Sequence, residues 1–100
     1  MRKFILACAI LPYAGTASAA EQGLASYYCP SSGGLVAAHR SLAIGSQVRV
    51  VNLDNGLAVI VIIAGRGPFL RGRVIDVSIA AADALGFRKA GLAHVRLELL

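Results

Sequence analysis

Asp76 and His39 are the two residues of this chain whose chemistry could support acid–base catalysis. Asp76 lies in Val74–Ser78, where an apolar strand is expected to pass into a helix, and a carboxylate at such a junction can act as an acid. His39 ends a run of small and apolar residues, and a tight turn, Gly65–Pro68, precedes the Asp76 segment. The function that can be inferred from the sequence depends on whether Asp76 and His39 form one working site.

Both residues also have ordinary structural interpretations. An aspartate near a helix start accepts backbone N–H groups and interacts favourably with the helix dipole. A histidine can be satisfied by hydrogen bonds within the fold, and His94, near the end of the chain, is interpreted as structural. Arg66 could belong to an anion-binding turn, but the neighbouring Gly67 and Pro68 are more typical of a fixed backbone path.

Short strands separated by turns are predicted to position these residues. Asn52–Gly56 is the clearest turn, because Asn-Gly tolerates the positive φ of a tight hairpin. Ser78 is a suitable N-cap for a short helix that stops at Gly86. The predicted strands cover residues 24–28, 35–39, 47–50, 57–63, 73–75 and 94–98, and the predicted helix covers residues 79–85. This content indicates a mainly β fold, a compact barrel whose closure removes exposed strand edges.

The strand over residues 57–63 has the strongest apolar character in the chain. Every residue from Leu57 to Ile63 is apolar, and most are β-branched. Such a run is typical of a strand that is covered on both faces. We therefore expect it to be a central strand of a closed or stacked sheet.

Residues 1–20 have the pattern of a cleaved signal peptide, which leaves residues 21–100 as one small domain. Arg2 and Lys3 form a positive start, Phe4–Leu11 is a short apolar run, and Ala17–Ala20 offers small residues for cleavage. The run is too short to span a bilayer, so no stable membrane anchor is expected. A second interpretation is a lipoprotein signal acylated at Cys8, although it would leave very few residues for the signal itself.

Composition narrows the function classes. Arg2 and Lys3 leave with the signal, so the ten basic residues become eight against five acidic ones, a net charge of +3. That charge suits an exported protein of the periplasm or cell envelope that works near anionic polymers. The basic residues are scattered along the chain, and this distribution does not indicate binding of nucleic acid. Cys29 is left alone and is interpreted as a tolerated loop residue rather than a nucleophile or intermolecular bridge. The spacing of Cys29 from the two histidines is not typical of a zinc site, so no metal is expected. No other cofactor is expected either. The protein is expected to be a monomer.

Six motifs occur in order between residues 23 and 98: Gly23–Tyr28, Ala37–Leu42, Val48–Val50, Asn52–Gly56, Arg66–Phe69 and Gly72–Ser78. Each is weak alone, but the ordered set resembles the rare lipoprotein A family. That family consists of bacterial septal-ring lytic transglycosylases with a double-psi β-barrel. The resemblance therefore implies a six-stranded double-psi β-barrel with one short helix.

The resemblance also implies an activity, the cleavage of naked peptidoglycan glycan strands with formation of 1,6-anhydro sugar ends. One acid protonates the glycosidic oxygen, and the C6 hydroxyl of the sugar then attacks C1 after giving its proton to the same group. A single carboxylic acid can serve both steps if burial favours its protonated form. Ordinary glycoside hydrolysis instead uses a pair of carboxylates.

Three departures from the family pattern bear on this expectation. Ala64-Gly65 stands where the family usually has Asn-Asp before Arg-Gly-Pro-Phe, and that Asp is a leading catalytic candidate of the family. Ile62 replaces a common basic residue, and a short loop between Tyr28 and Leu35 replaces a longer polar one. Gly65 therefore stands where the resemblance implies a catalytic aspartate, and we call it the departed catalytic position.

The remaining candidates support two function classes. As an enzyme, the chain would use Asp76 as acid and base with His39 assisting, and Asp76 matches a carboxylate that related double-psi barrels, including expansin-like proteins, also carry. Sugar contacts are predicted for Ser26, Tyr27, Tyr28 and Arg66, and the two tyrosines alternate faces, so one can pack inward. As a non-catalytic module, the chain would bind wall glycan or loosen it as an expansin does. Gly65 favours the second class and the family resemblance favours the first.

Overall fold

Six strands and one helix form a closed barrel in the computed structural model, which describes residues 21–30 and 33–100. The elements are β1 (Glu21–Tyr28), β2 (Val36–Ala38), β3 (Gln47–Asn52), β4 (Ala58–Gly65), β5 (Arg73–Ser78), α1 (Ile79–Leu85) and β6 (Ala93–Leu99). All seven predicted elements are present, and the mainly β, six-stranded barrel with one short helix is confirmed. The predicted signal peptide and both interpretations of Cys8 lie outside the described residues.

The strands close in the order β1-β5-β2-β4-β3-β6, with β6 returning to β1. Two neighbouring pairs, β1–β5 and β2–β4, are parallel, and the other pairs are antiparallel. Parallel neighbours need long connections, so residues that are far apart in sequence become adjacent. Ser26 of β1 and Asp76 of β5 are such a pair.

The barrel interior is filled by branched and small apolar side chains, with Val48, Val61, Ile63, Ile75 and Val95 all fully buried. Helix α1 adds Leu85 and two alanines to the same core. The expectation that strand 57–63 is covered on both faces was wrong, because its Ile60 and Ile62 are 42% and 44% exposed. A closed barrel has a single interior, so β4 buries one face and leaves the other to solvent although both are apolar.

Helix α1 begins and ends at the residues that the sequence indicated. The Ser78 hydroxyl accepts the amide of Ala81, and it also donates to the carbonyl of Gly34 at 2.6 Å. Gly86 adopts a φ of 75°, the left-handed conformation that favours glycine after a helix. Among the described residues, no helix is both long enough and apolar enough to cross a membrane.

Gly23 allows β1 to approach β5 closely. A Cβ at this position would overlap Cγ1 of Val74 and would lie 3.1 Å from the carbonyl oxygen of Gly72. We expect Gly23→Ala to lower the free energy of unfolding by about 1–3 kcal/mol, because the added methyl group overpacks this contact. Urea denaturation followed by circular dichroism measures the change.

Gly65→Ala is the matched control for this substitution. A Cβ at Gly65 would meet only the Cβ of Ala38, at an ordinary contact distance of 3.8 Å. Its unfolding free energy should stay within about 0.5 kcal/mol of the wild-type value or rise, since the alanine restricts the unfolded chain. Equal stability of the two variants would show that the Gly23 contact relaxes freely.

Candidate functional site

Strand register places four residues in one row on the outer face of the barrel. Gly65 of β4 is opposite Ala38 of β2, Ala38 is opposite Asp76 of β5, and Asp76 is opposite Ser26 of β1. Residues that are directly opposite on neighbouring strands share a face. We call these four residues the Asp76 row. Asp76 and Gly65 therefore lie on the same surface, and the small side chain of Ala38 lies between them.

Asp76 is held by a hydroxyl group from the neighbouring strand. The Oγ of Ser26 donates a hydrogen bond to Oδ1 of Asp76, across 50 positions of sequence. A serine hydroxyl can donate to an ionised carboxylate and accept from a protonated one. This contact therefore suits a group that passes through both protonation states, and it leaves Oδ2 of Asp76 for another partner.

The two tyrosines of β1 face opposite ways, as their alternation predicted. The ring of Tyr27 packs edge to face on Phe87 at 5.9 Å, and its hydroxyl donates to the carbonyl of Arg88 at 2.8 Å. Tyr27 therefore supports the core, and the sugar contact predicted for it does not fit this packing. Burial raises the pKa of Tyr28, and the nearby charge of Asp76 raises it further. Tyr28 thus keeps its phenolic proton beside the Asp76 row and can serve as a hydrogen-bond donor.

His39 lies in the protein interior with both ring nitrogens engaged. It is 3% exposed, and its Nδ1 accepts the amides of Ser41 and Leu42, each at 3.1 Å. Nε2 therefore carries the ring proton and donates it to Oε1 of Glu21 at 2.9 Å. These contacts match the alternative of a histidine satisfied within the fold, and among the described residues its hydrogen-bond partners do not include Asp76. Sequence patterns did not indicate Glu21 as its partner, because the contact depends on how β1 lies against the segment after β2.

His39→Ala should lower the free energy of unfolding by about 2–4 kcal/mol, since it empties a buried site and removes the acceptor of two backbone amides. His39→Asn is the matched control, because an asparagine oxygen can accept the amide two residues on. Thermal unfolding should rank wild type above His39→Asn and both above His39→Ala. A folded His39→Asn protein that lost all glycan cleavage would instead favour the catalytic role predicted from the sequence.

Gly65 leaves room for a larger side chain in the Asp76 row. Its φ lies outside the positive range, and among the described residues a Cβ at this position would have the Cβ of Ala38 as its sole neighbour within 4 Å. A β-bulge at Ala64 brings Gly65, rather than Ala64, opposite Ala38. The departed position therefore still points at the same surface as Asp76.

Arg66 holds the segment that follows β2. Its Nη1 donates to the carbonyl oxygens of His39 at 3.0 Å and of Leu42 at 2.5 Å. The side chain remains exposed, and Gly67 behind it has a φ of 120°, which requires glycine. The arrangement fits the fixed backbone path considered for this turn, and the rest of the guanidinium group stays open to a ligand.

A separate depression of about 350 Å³ lies over β3 and β4, lined by Leu35, Arg49, Ala58, Val59 and Ile60. Arg49 is its charged group, and Glu98 pairs with it at 3.1 Å. Because the lining of this depression includes no carboxylate or imidazole, and Glu98 is engaged by Arg49, we place the candidate site at the Asp76 row. Over residues 21–30 and 33–100, no three His, Cys, Asp or Glu side chains lie close enough to hold a metal ion.

Comparisons with known proteins agree with this fold. A family model described as lytic transglycolase matches residues 14–97. The chain is 46% identical over 94 residues to the probable endolytic peptidoglycan transglycosylase RlpA of Nostoc sp., covering 79% of this chain and 25% of that protein. It is 54% identical over 65 residues to the endolytic peptidoglycan transglycosylase RlpA of Pseudomonas aeruginosa, covering 65% of this chain and 19% of that protein. The chain thus spans a quarter or less of the length of these two relatives.

Solved structures show the same barrel. The apo crystal structure of Clavibacter michiganensis expansin matches with a TM-score of 0.68 and 21% identity, covering 81% of this chain and 50% of that one. A mutant of that expansin in complex with cellohexaose matches with the same TM-score and 20% identity. At this level of identity the likeness establishes the architecture.

Proposed function

We propose that this chain, which belongs to the lytic transglycolase family, cleaves peptidoglycan glycan strands without water and leaves a 1,6-anhydro end on one product. The observation that carries the proposal is the Asp76 row, in which one partly buried carboxylate lies beside small residues and a serine hydroxyl. The names of the relatives supply the substrate class. Two finer expectations accompany the proposal: export to the periplasm or cell envelope, and preference for strands that have lost their stem peptides.

Asp76 would act as acid and then as base. Its protonated carboxyl group gives a proton to the glycosidic oxygen, the bond from C1 to that oxygen breaks, and the leaving sugar departs with a new C4 hydroxyl group. The carboxylate next takes the proton of the C6 hydroxyl group, whose oxygen bonds to C1 and closes the anhydro ring. Asp76 ends protonated, as it began, so no water and no second acid are consumed.

Two neighbours would support these steps. Ser26 would keep the carboxyl group in one rotamer while its hydroxyl switches between donating and accepting. Tyr28, protonated at working pH, would donate to a sugar oxygen or stack against a sugar ring. In this proposal His39 shapes the segment over residues 39–42 rather than exchanging protons.

Gly65 supports a second candidate, a module that binds wall glycan without cleaving it. The surface would keep its small residues and its hydrogen-bonding groups, whereas glycine supplies no proton donor at the position where the family resemblance implies an aspartate. Binding would then depend on Ser26, Tyr28 and Arg66. An expansin-like loosening of the wall belongs to this candidate.

One digestion separates the two candidates. Purified glycan strands without stem peptides are incubated with the protein, and the products are analysed by mass spectrometry for anhydro-ended fragments. The appearance of anhydro-ended fragments would support the proposal that the protein is an enzyme. Intact strands, together with co-sedimentation of the protein with wall sacculi, would support the binding module and overturn the enzyme.

A further inference from the structure

Three arginines at one end of the barrel have no carboxylate partner among residues 21–30 and 33–100. They are Arg66, Arg71 and Arg73, which all lie in or beside the connection between β4 and β5. Arg66 and Arg71 are exposed, and Arg73 is partly exposed. We call them the arginine cluster.

Arginines elsewhere in the barrel have carboxylate partners. Arg49 and Arg96 both pair with Glu98, at 3.1 and 2.8 Å, and their hydrogen bonds lower the pKa of that carboxyl group. Arg88 pairs with Asp83 at 3.0 Å. Among residues 21–30 and 33–100, Lys89 also lacks a carboxylate partner, but it is a single cation. Three guanidinium groups without such a partner occur together in the connection between β4 and β5, which points to an anionic ligand there.

Local contacts tie Arg66 and the backbone of Arg73 to the segment that follows β2. Arg66 donates to the carbonyl of His39, and the next residue, Arg40, donates to the carbonyl of Arg73 at 3.5 Å. Glu21 is the acidic residue at this end, but it already binds the ring of His39 and lies 3.7 Å from Arg40. Its charge is thus shared between two other groups and is not available to the cluster.

The cluster lies at the end of the strands that carry the Asp76 row. Arg73 begins β5 three positions before Asp76, so its Cα is about 10 Å away along the strand. Arg66 directly follows Gly65, which is the last residue of β4 and belongs to the Asp76 row. A ligand seated over Asp76 would therefore reach the cluster within a short run of sugar rings.

We propose that the arginine cluster binds the free lactyl carboxylates of muramic acid residues in the strand that occupies the Asp76 row. This inference rests on the proposed function. Each lactyl group forms an amide with a stem peptide in intact wall material and becomes a carboxylate once that peptide is removed. Guanidinium groups bind carboxylates through paired hydrogen bonds, so the cluster would recognise stripped strands by charge.

The test measures binding of purified protein to three glycans that share one backbone chemistry. They are stripped strands with free lactyl carboxylates, the same strands amidated with methylamine, and oligomers of N-acetylglucosamine that lack lactyl groups. All proteins carry Asp76→Asn, so binding is measured without cleavage. We expect the free carboxylates to tighten binding by about tenfold or more over the amidated strands, as charge-assisted hydrogen bonds should.

The double substitution Arg71→Gln with Arg73→Gln should remove this preference while binding to N-acetylglucosamine oligomers is unchanged. Arg49→Gln with Arg88→Gln is the matched control, because it removes the same charge from distant sites and should keep the preference. Equal binding of free and amidated strands by the unsubstituted cluster would overturn the inference and leave the proposed function standing. Failure to bind any glycan would overturn both.

A second experiment measures binding of the same proteins to vesicles of phosphatidylglycerol, whose anionic groups are lipid phosphates rather than glycan carboxylates. We expect weak binding that the cluster substitution and its control reduce equally. Tight vesicle binding lost only in the cluster variant, without a preference among the glycans, would assign these arginines to a lipid surface and overturn the inference.

Discussion

Asp76→Asn should lower the rate of anhydro-end formation by about a hundredfold or more, which is the range that a positioned acid–base group contributes. Asparagine has nearly the shape of aspartate, and its side-chain oxygen can still accept the hydrogen bond from Ser26. It has no acidic proton to give to the glycosidic oxygen and cannot take one from the C6 hydroxyl group. The rate is measured from anhydro-ended fragments on stripped strands by mass spectrometry.

Asp83→Asn is the control for this loss. Asp83 lies on the exposed face of α1 and pairs with Arg88, so its neutralisation changes the net charge equally without touching the row. Its rate should stay within about twofold of the wild-type rate, since an exposed ion pair contributes little. A folded Asp76→Asn protein with the wild-type rate would remove Asp76 from the chemistry.

Gly65→Asp should raise the cleavage rate, by about tenfold or more if the new carboxyl group supplies the proton donor that the family resemblance implies at this position. The backbone at Gly65 accepts a side chain without strain, and the new Cβ would lie at ordinary contact distance from Ala38. It would be about 10 Å from the Cβ of Asp76, two strands away in the same row, so both carboxyl groups could reach one sugar strand. The initial rates of wild type and variant on the same strands give the comparison.

Gly65→Asn and Gly65→Ala separate acid chemistry from simple filling of the row. Neither supplies a proton, so neither should raise the rate. If all four proteins bind stripped strands and none cleaves them, the row is a binding surface and the second candidate function is correct. An increase with asparagine as large as that with aspartate would attribute the gain to substrate contact instead of acidity.

Local sequence rules predicted the elements well, because each was marked by its own residues. The helix over residues 79–85 was bounded by Ser78 and Gly86, and Asn-Gly at residues 55–56 marked the turn between β3 and β4. The number of buried faces of β4 was not predictable in the same way. An apolar run in a parallel sheet and one in a small barrel look alike along the chain, and only closure decides how many faces are covered.

The candidate site was predictable only in part. Asp76, Ser26 and the alternation of the two tyrosines follow from strand periodicity. The row itself depends on register, and two irregularities set that register, one between Leu24 and Ala25 and one between Ala37 and Ala38. Gly65 lacks the positive φ that marks a glycine bulge, and Ala64 carries no bulge signal of its own, so the position of Gly65 opposite Ala38 needed the three-dimensional structure.

The contact between Ser26 and Asp76 has a consequence for how the protein acquires its site. Because 50 positions separate these residues, the contact forms only after a long segment of chain has been brought back on itself, with β2, β3 and β4 between them. Non-local pairing of this kind slows folding, so this small domain should fold later than a helical one of equal size. Until β5 joins β1, the carboxylate has no serine to orient it, and a partly folded molecule would therefore lack the site on which the proposed cleavage depends.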